Sequence, residues 1–180
     1  MMVEYHDNEW GVPLHDDKEL FGLILLEGAQ AGLSWRTVLH RREAYREAYA
    51  GFDPEIVTGF TPERLEDIRL NSGVIRNKLK IASAVKNAKG FLDIQREFGS
   101  FDKYLWGYVD HKPVMNAFSS WKEVPAETEL SQLISKDLKK RGFTFVGSTI
   151  MYAYMQSVGM VNDHLTSCFR YQQIVDKYGG

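Results

Sequence analysis

The chain has 180 residues, long enough for a real core, and its 44% apolar and 26% charged content is ordinary for a soluble globular protein. A formal net charge of -2 gives no overall basic signal, so any contact with nucleic acid has to be local. The single cysteine, Cys168, excludes an intramolecular disulfide and fits a reducing cytoplasm, and neither a membrane span nor a signal peptide is expected.

Residues 1–13 read as an irregular start, yet Tyr5, His6 and Trp10 are dense for a segment that ought to fray. The arm is therefore expected to dock onto the body. Asp16 or Asp17 can cap the next helix, which carries Leu20, Phe21, Leu23, Ile24, Leu25 and Leu26. Glu27 follows at a spacing that places it on one face with Leu20, Leu23 and Ile24. A carboxylate entering a core is costly unless it is paired. Gly28, Gln30, Gly32 and Trp35 come next, offering backbone freedom and a flat stacking face. The stretch suits the wall of a pocket for a flat polar ligand, cationic or not. It equally suits a helix C-cap at Gly32 with Glu27 held by an Arg or Lys.

Residues 36–49 form an amphipathic helix with a basic face, the usual pattern of a solvated charge stripe. Asp53 with Pro54, and Thr61 with Pro62, each start a helix. Residues 71–81 read as a helix end, a tight turn at Gly73 and a new helix. Backbone N–H groups at such a turn can hold an anion, with Arg76, Lys78 and Lys80 adding charge; an ordinary helical hairpin fits equally. A helix over 81–91, an aromatic helix over 98–109, a turn at 110–113 and a polar loop over 116–129 follow. A further helix ends in Lys139, Lys140 and Arg141, capped by Gly142, and another runs from Gly147 to Gly159. His164 and Cys168 are four apart, facing the same way if on a helical turn, which suits two ligands of one metal or a packed thiol near a capping histidine.

No convincing β pattern, repeat, Walker loop, dinucleotide fingerprint or nucleophile elbow is present. The pattern predicts an all-α fold of many helices joined by short loops.

Six blocks in a fixed order resemble the bacterial constitutive 3-methyladenine DNA glycosylase I family. They are Tyr-His-Asp-Asn-Glu-Trp-Gly-Val-Pro at 5–13, Leu-Glu-Gly-Ala-Gln-Ala-Gly-Leu-Ser-Trp at 26–35, Gly-Val-Ile-Arg-Asn at 73–77, Leu-Lys-Lys-Arg-Gly-Phe at 138–143, Phe-Val-Gly-Ser-Thr at 145–149 and Val-Asn-Asp-His at 161–164. The resemblance implies a multi-helix fold of the helix-hairpin-helix DNA glycosylase superfamily. It implies one domain over residues 1–180, with its terminal segments packed together and a pocket between helical lobes. It implies a monofunctional base-excision enzyme that flips out alkylated adenine and hydrolyses its N-glycosidic bond, releasing 3-methyladenine and leaving an abasic site. The partner would be double-stranded DNA carrying alkylated bases, and the enzyme a cytoplasmic monomer.

The roles carried over are specific. Glu27 matches the base-recognising carboxylate and is the residue to which catalysis is assigned; Tyr5, Trp10 and Trp35 would line or stack on the base. Gly32 and Leu33 match the segment wedged into the duplex, and Ser72, Gly73, Val74, Ile75 and Arg76 would hold backbone phosphates. No aspartate is assigned as an activating base, and neither Lys78 nor Lys80 as a lyase nucleophile. His6, His164 and Cys168 match three of four ligands of a structural zinc. The fourth, a cysteine in a segment preceding Tyr5 in the family, has no counterpart here. Either the sequence starts at an internal methionine, or zinc is held by three protein ligands and a further donor. Two other functions stay open: a non-catalytic lesion-binding domain with a degenerate N-terminus, and a helical enzyme acting on a small heteroaromatic molecule.

Overall fold

The computed structural model describes residues 1–179. Its helices are α1 (Met2–Asn8), α2 (Asp17–Gln30), α3 (Trp35–Leu39), α4 (Arg42–Ala48), α5 (Pro54–Thr58), α6 (Pro62–Asn71), α7 (Lys78–Phe98), α8 (Phe101–Trp106), α9 (Glu129–Lys140), α10 (Ser148–Ser157) and α11 (Phe169–Tyr178). Among the described residues the only strands are β1 (Val114–Met115) and β2 (Val161–Asn162), paired in parallel with Val114 opposite Val161. The architecture is all-α, as the sequence pattern predicts.

Side-chain caps set most of the helix starts. Asp16 accepts the Glu19 N–H, Asp53 those of Glu55 and Ile56, Thr61 that of Arg64, and Asn77 that of Lys80. Each such cap contributes about 1 kcal/mol. Asp16, not Asp17, caps α2. Asp17 turns outward from the helix start and accepts the N–H groups of Phe101 and Asp102 at 2.9 and 2.8 Å, tying α8 to α2.

The core is built around α2. Leu20, Phe21, Ile24 and Leu26 are essentially inaccessible to solvent. Helix α10 brings Met151, Tyr154 and Met155 into the same cluster, α7 brings Ala84, Ala88 and Phe91, and α8 brings Phe101 and Leu105. Every residue of α2 from Ile24 to Ala29 is buried, so a polar group in that stretch is shielded from solvent.

Several local expectations need correction. Residues 2–8 are helical rather than irregular, since no glycine or proline interrupts them before Gly11. The basic segment 36–49 divides into α3 and α4, and its charges are only in part a solvated stripe: Arg36, Glu43 and Glu47 are exposed, but Arg42 pairs with Glu9, Arg46 with Glu19, and Arg41 donates to the Gly73 carbonyl. The aromatic segment 98–109 is broken at Gly99, whose φ of 88° ends α7. His164 and Cys168 lie in the turn before α11, not on a helix.

The arm docks as expected. Tyr5 is buried, Gly11 N–H donates to the Gln156 carbonyl at 3.1 Å, and Leu14 N–H donates to the Val158 carbonyl at 3.0 Å. Gly159 makes this approach possible. Its φ is +73°, and a Cβ there would lie 2.3 Å from the Val12 carbonyl carbon. A Gly159→Ala substitution is therefore expected to cost about 2–4 kcal/mol, measured by urea unfolding, because strain and backbone clash act together. Amide exchange over residues 11–14 should accelerate in that variant.

Candidate active site

Glu27 sits in the last turns of α2, only 2% exposed. Its Oε1 accepts a hydrogen bond from Ser157 Oγ at 2.5 Å, and Ser157 Oγ in turn accepts from the Tyr5 hydroxyl at 3.2 Å. Its Oε2 is buried and has no partner among the described residues. No Arg or Lys pairs with it among those residues, so of the two alternatives the cation-held Glu27 is set aside: a serine hydroxyl takes that place. Burial without a countercharge pushes the carboxyl from 4.5 up to about 7, against the smaller lowering effect of Ser157.

Glu27 lines a cavity of about 250 Å³ between α1, α2, α10 and the 116–128 loop. That volume suits one small ring system. Tyr5, Trp10, Glu27 and Trp35 all line it. The Tyr5 and Trp35 rings lie 5.5 Å apart at 47°, forming an angled aromatic wall. Trp35 Nε1 is a second buried polar atom here with no partner among the described residues. An acceptor and a donor both left open at one aromatic cavity fit a flat polar ligand, not a packed core.

Some lining residues escape sequence reasoning. Trp121, from the polar loop, stands 6.4 Å from Trp10 and is 60% exposed. A lone tryptophan amid polar residues was the available signal. Ala153, Gln156 and Ser157 line the cavity from one face of α10, a helical spacing visible in the sequence. Ser157 carries no signal that would mark it as the partner of Glu27. Gln156 is held by Asp163, whose Oδ2 accepts from Gln156 Nε2 at 2.9 Å and from the Tyr152 hydroxyl at 2.5 Å.

The other expected site residues form two loops. Helix α2 ends at Ala31, Gly32 takes a φ of +78°, and Leu33 is 40% exposed at the tip. The second loop, residues 72–76, joins α6 to α7. Gly73 and Arg76 are exposed there, but Val74 is buried and serves as an anchor. The Val74 N–H donates to Ser72 Oγ and the Ile75 N–H to the Tyr45 hydroxyl, so these two amides are committed within the protein. This corrects the expectation of a run of free N–H groups. Lys80 also turns away from that loop, toward the end of α2. Arg141 is likewise committed, to Glu97 and Asp137.

His6, His164 and Cys168 come together with donor atoms within 4.8 Å of one another. Cys168 Sγ lies 3.7 Å from both His6 Nε2 and His164 Nδ1. A tetrahedral zinc at usual bond lengths separates sulfur and nitrogen ligands by about 3.6 Å. Each histidine also engages its other ring nitrogen: His6 Nδ1 with Asp7 Oδ1 at 2.7 Å, and His164 Nε2 with the Trp10 carbonyl at 3.0 Å. Such outer partners orient metal-binding imidazoles. Burial pushes the His164 imidazolium down, favouring the neutral ligand form. The donor set fits zinc.

Fold and cavity together define an all-helical protein with an aromatic pocket built around an uncompensated buried carboxylate. The family model for methyladenine glycosylase matches residues 1–171, and the chain belongs to that family. It is 48% identical to a DNA-3-methyladenine glycosylase of Haemophilus influenzae, covering 92% of this chain and 90% of that protein. It is 44% identical to DNA-3-methyladenine glycosylase 1 of Escherichia coli, covering 95% and 91% respectively. A Staphylococcus aureus structure described as the basis of 3-methyladenine recognition superposes with a TM-score of 0.91 at 36% identity, covering 93% of this chain and 89% of that one.

The raised carboxyl has a measurable sign. A folded pKa of about 7 against 4.5 means the folded chain binds this proton more tightly than the unfolded chain. No penalty applies below the unfolded value; it grows through the interval and is complete above the folded value, reaching about 3 kcal/mol. Replacing Glu27 by glutamine removes the dependence. The Glu27→Gln variant should therefore gain stability relative to the parent as pH rises from about 5 to about 8, read from denaturant midpoints. A constant difference across that range would exclude a raised carboxyl.

Proposed function

We propose that this chain is a DNA repair glycosylase that removes 3-methyladenine from double-stranded DNA. The observation that carries this reading is the buried Glu27 carboxyl in the wall of an aromatic cavity, with its Oε2 left without a partner among the described residues. Adenine methylated at N3 is cationic in the nucleotide, and its glycosidic bond is already weak. The protein mainly has to extract the base and hold it. Trp35 and Tyr5 take the ring faces, Trp10 closes the side, and Glu27 accepts hydrogen bonds from the ring edge. A cation entering the cavity favours the ionised carboxyl, which neutral adenine does not, and this difference selects the lesion. Water adds to the sugar carbon as the base leaves, giving free 3-methyladenine and an abasic site.

Leu33, carried by Gly32, fills the gap left in the base stack. The 72–76 loop meets the backbone phosphates through its exposed Gly73 and Arg76, with Ser72, Val74 and Ile75 shaping it. The 72–76 loop with α6 and α7 acts as the helix-hairpin-helix unit. His6, His164 and Cys168 hold a structural zinc that pins α1 to the start of α11; its contribution is a cross-link, not a chemical step. The protein works as a cytoplasmic monomer, in one domain.

DNA treated with a methylating agent tests the reading. Chromatography of the released bases should show 3-methyladenine, and Glu27→Ala should slow release about 100-fold or more. Salt-dependent duplex binding without any release would make the chain a lesion-binding domain instead. Elemental analysis tests the zinc: about one equivalent per chain is expected, falling to none in a Cys168→Ala, His164→Ala double variant. Purified protein without zinc, and unchanged in stability when zinc is added, would exclude that site.

A further inference from the structure

The two loops assigned to DNA are joined by one side chain that no part of the chemistry above employs. Lys80 stands in the first turn of α7, just after the 72–76 loop. Its Nζ donates to the Ala29 carbonyl at 2.9 Å and to the Ala31 carbonyl at 2.6 Å. The carbonyl between them, on Gln30, accepts the Leu33 N–H at 2.6 Å. Thus the carbonyls of 29, 30 and 31 are all engaged where α2 ends, and the exit toward Leu33 is held on both sides. A cation at a helix C-terminus is favourable in itself. Here it comes from a different helix, and Lys80, itself partly buried, lines one small cleft with Ile24, Ala29 and Tyr45.

The 72–76 loop is fastened to the same region from its other side. Arg41 Nη1 donates to the Gly73 carbonyl at 2.7 Å, and the Tyr45 hydroxyl accepts the Ile75 N–H at 3.3 Å. The segment 29–45 and the segment 72–80 therefore grip each other at Arg41, Tyr45 and Lys80.

We propose that Lys80 is a positioning residue that couples the phosphate-holding loop at 72–76 to the wedge at Gly32 and Leu33, so that seating on the backbone places Leu33 at the base to be displaced. The proposal rests on the glycosylase reading. Lys80 touches neither the base nor the sugar; it acts through the end of α2.

Lys80→Met keeps the stem and removes the ammonium, while Lys80→Arg keeps a donor. Single-turnover release of 3-methyladenine from methylated duplex should fall about tenfold or more in the Met variant and largely recover in the Arg variant. Affinity for free 3-methyladenine, read by tryptophan fluorescence, should stay within about twofold, because Glu27 and the aromatic wall are untouched. Leu33→Ala should slow the parent but add little to Lys80→Met, since the two act as one unit. Undiminished release by Lys80→Met overturns the coupling alone. So does a Leu33→Ala cost that is equal in both backgrounds, or a parallel loss of free-base affinity. Absence of release by the parent overturns the glycosylase reading and the coupling with it.

Discussion

Keeping a carboxyl in a protein core without a countercharge is the constraint on which the rest of this structure depends. Glu27 cannot swing into solvent, because α2 is packed by α7, α8 and α10 and its apolar residues fix its rotation. Ser157, reaching across from α10, supplies one hydrogen bond and leaves the second oxygen open. A fixed Arg in that place would have lowered the cost of burial, and it would also have filled the pocket with the charge that a cationic ligand brings. The unpartnered oxygen is thus a stability cost retained in the wall of the cavity, the pattern expected where local structure serves function rather than packing.

The opposite wall of the pocket depends on the amino-terminal arm. Tyr5 is held by Ser157 at its hydroxyl, and the arm behind it by backbone hydrogen bonds to the end of α10. The His6, His164 and Cys168 cluster lies against Trp10, with the Trp10 and His164 rings 4.6 Å apart, and His6 directly follows Tyr5 in the chain. A terminal segment would ordinarily fray. Here its docking and the shape of the base-facing wall are the same structural problem, so loosening the arm opens the pocket.

Residue type and spacing made much of this legible. Apolar periodicity located α2, the Asp53-Pro54 and Thr61-Pro62 signals located α5 and α6, and the crowd of aromatics at Tyr5 to Trp10 announced a docked arm. What could not be read was where polar side chains spend their hydrogen bonds. Arg42 and Arg46 look like a solvated stripe until Glu9 and Glu19 arrive from elsewhere in the chain. Lys80 looks like a phosphate ligand until the end of α2 comes within its reach. Ser157 is one serine among many until packing sets it against Glu27, 130 residues away. Long-range pairings decide such roles, and periodicity carries no record of them.

Those internal pairings also bear on how a chain of net charge -2 can work on a polyanion. Arg41, Arg42, Arg46, Lys80 and Arg141 all bond to other groups of the protein, while Arg36, Arg76 and Lys78 are exposed without a carboxylate partner among the described residues. Cations spent on internal partners do not add to a general, salt-sensitive hold on undamaged duplex. For an enzyme that must leave ordinary adenine alone, weak general binding is an advantage. Under the roles proposed for Leu33 and Glu27, affinity comes from the wedge and the occupied pocket, where only a base that can leave the stack and meet Glu27 contributes fully.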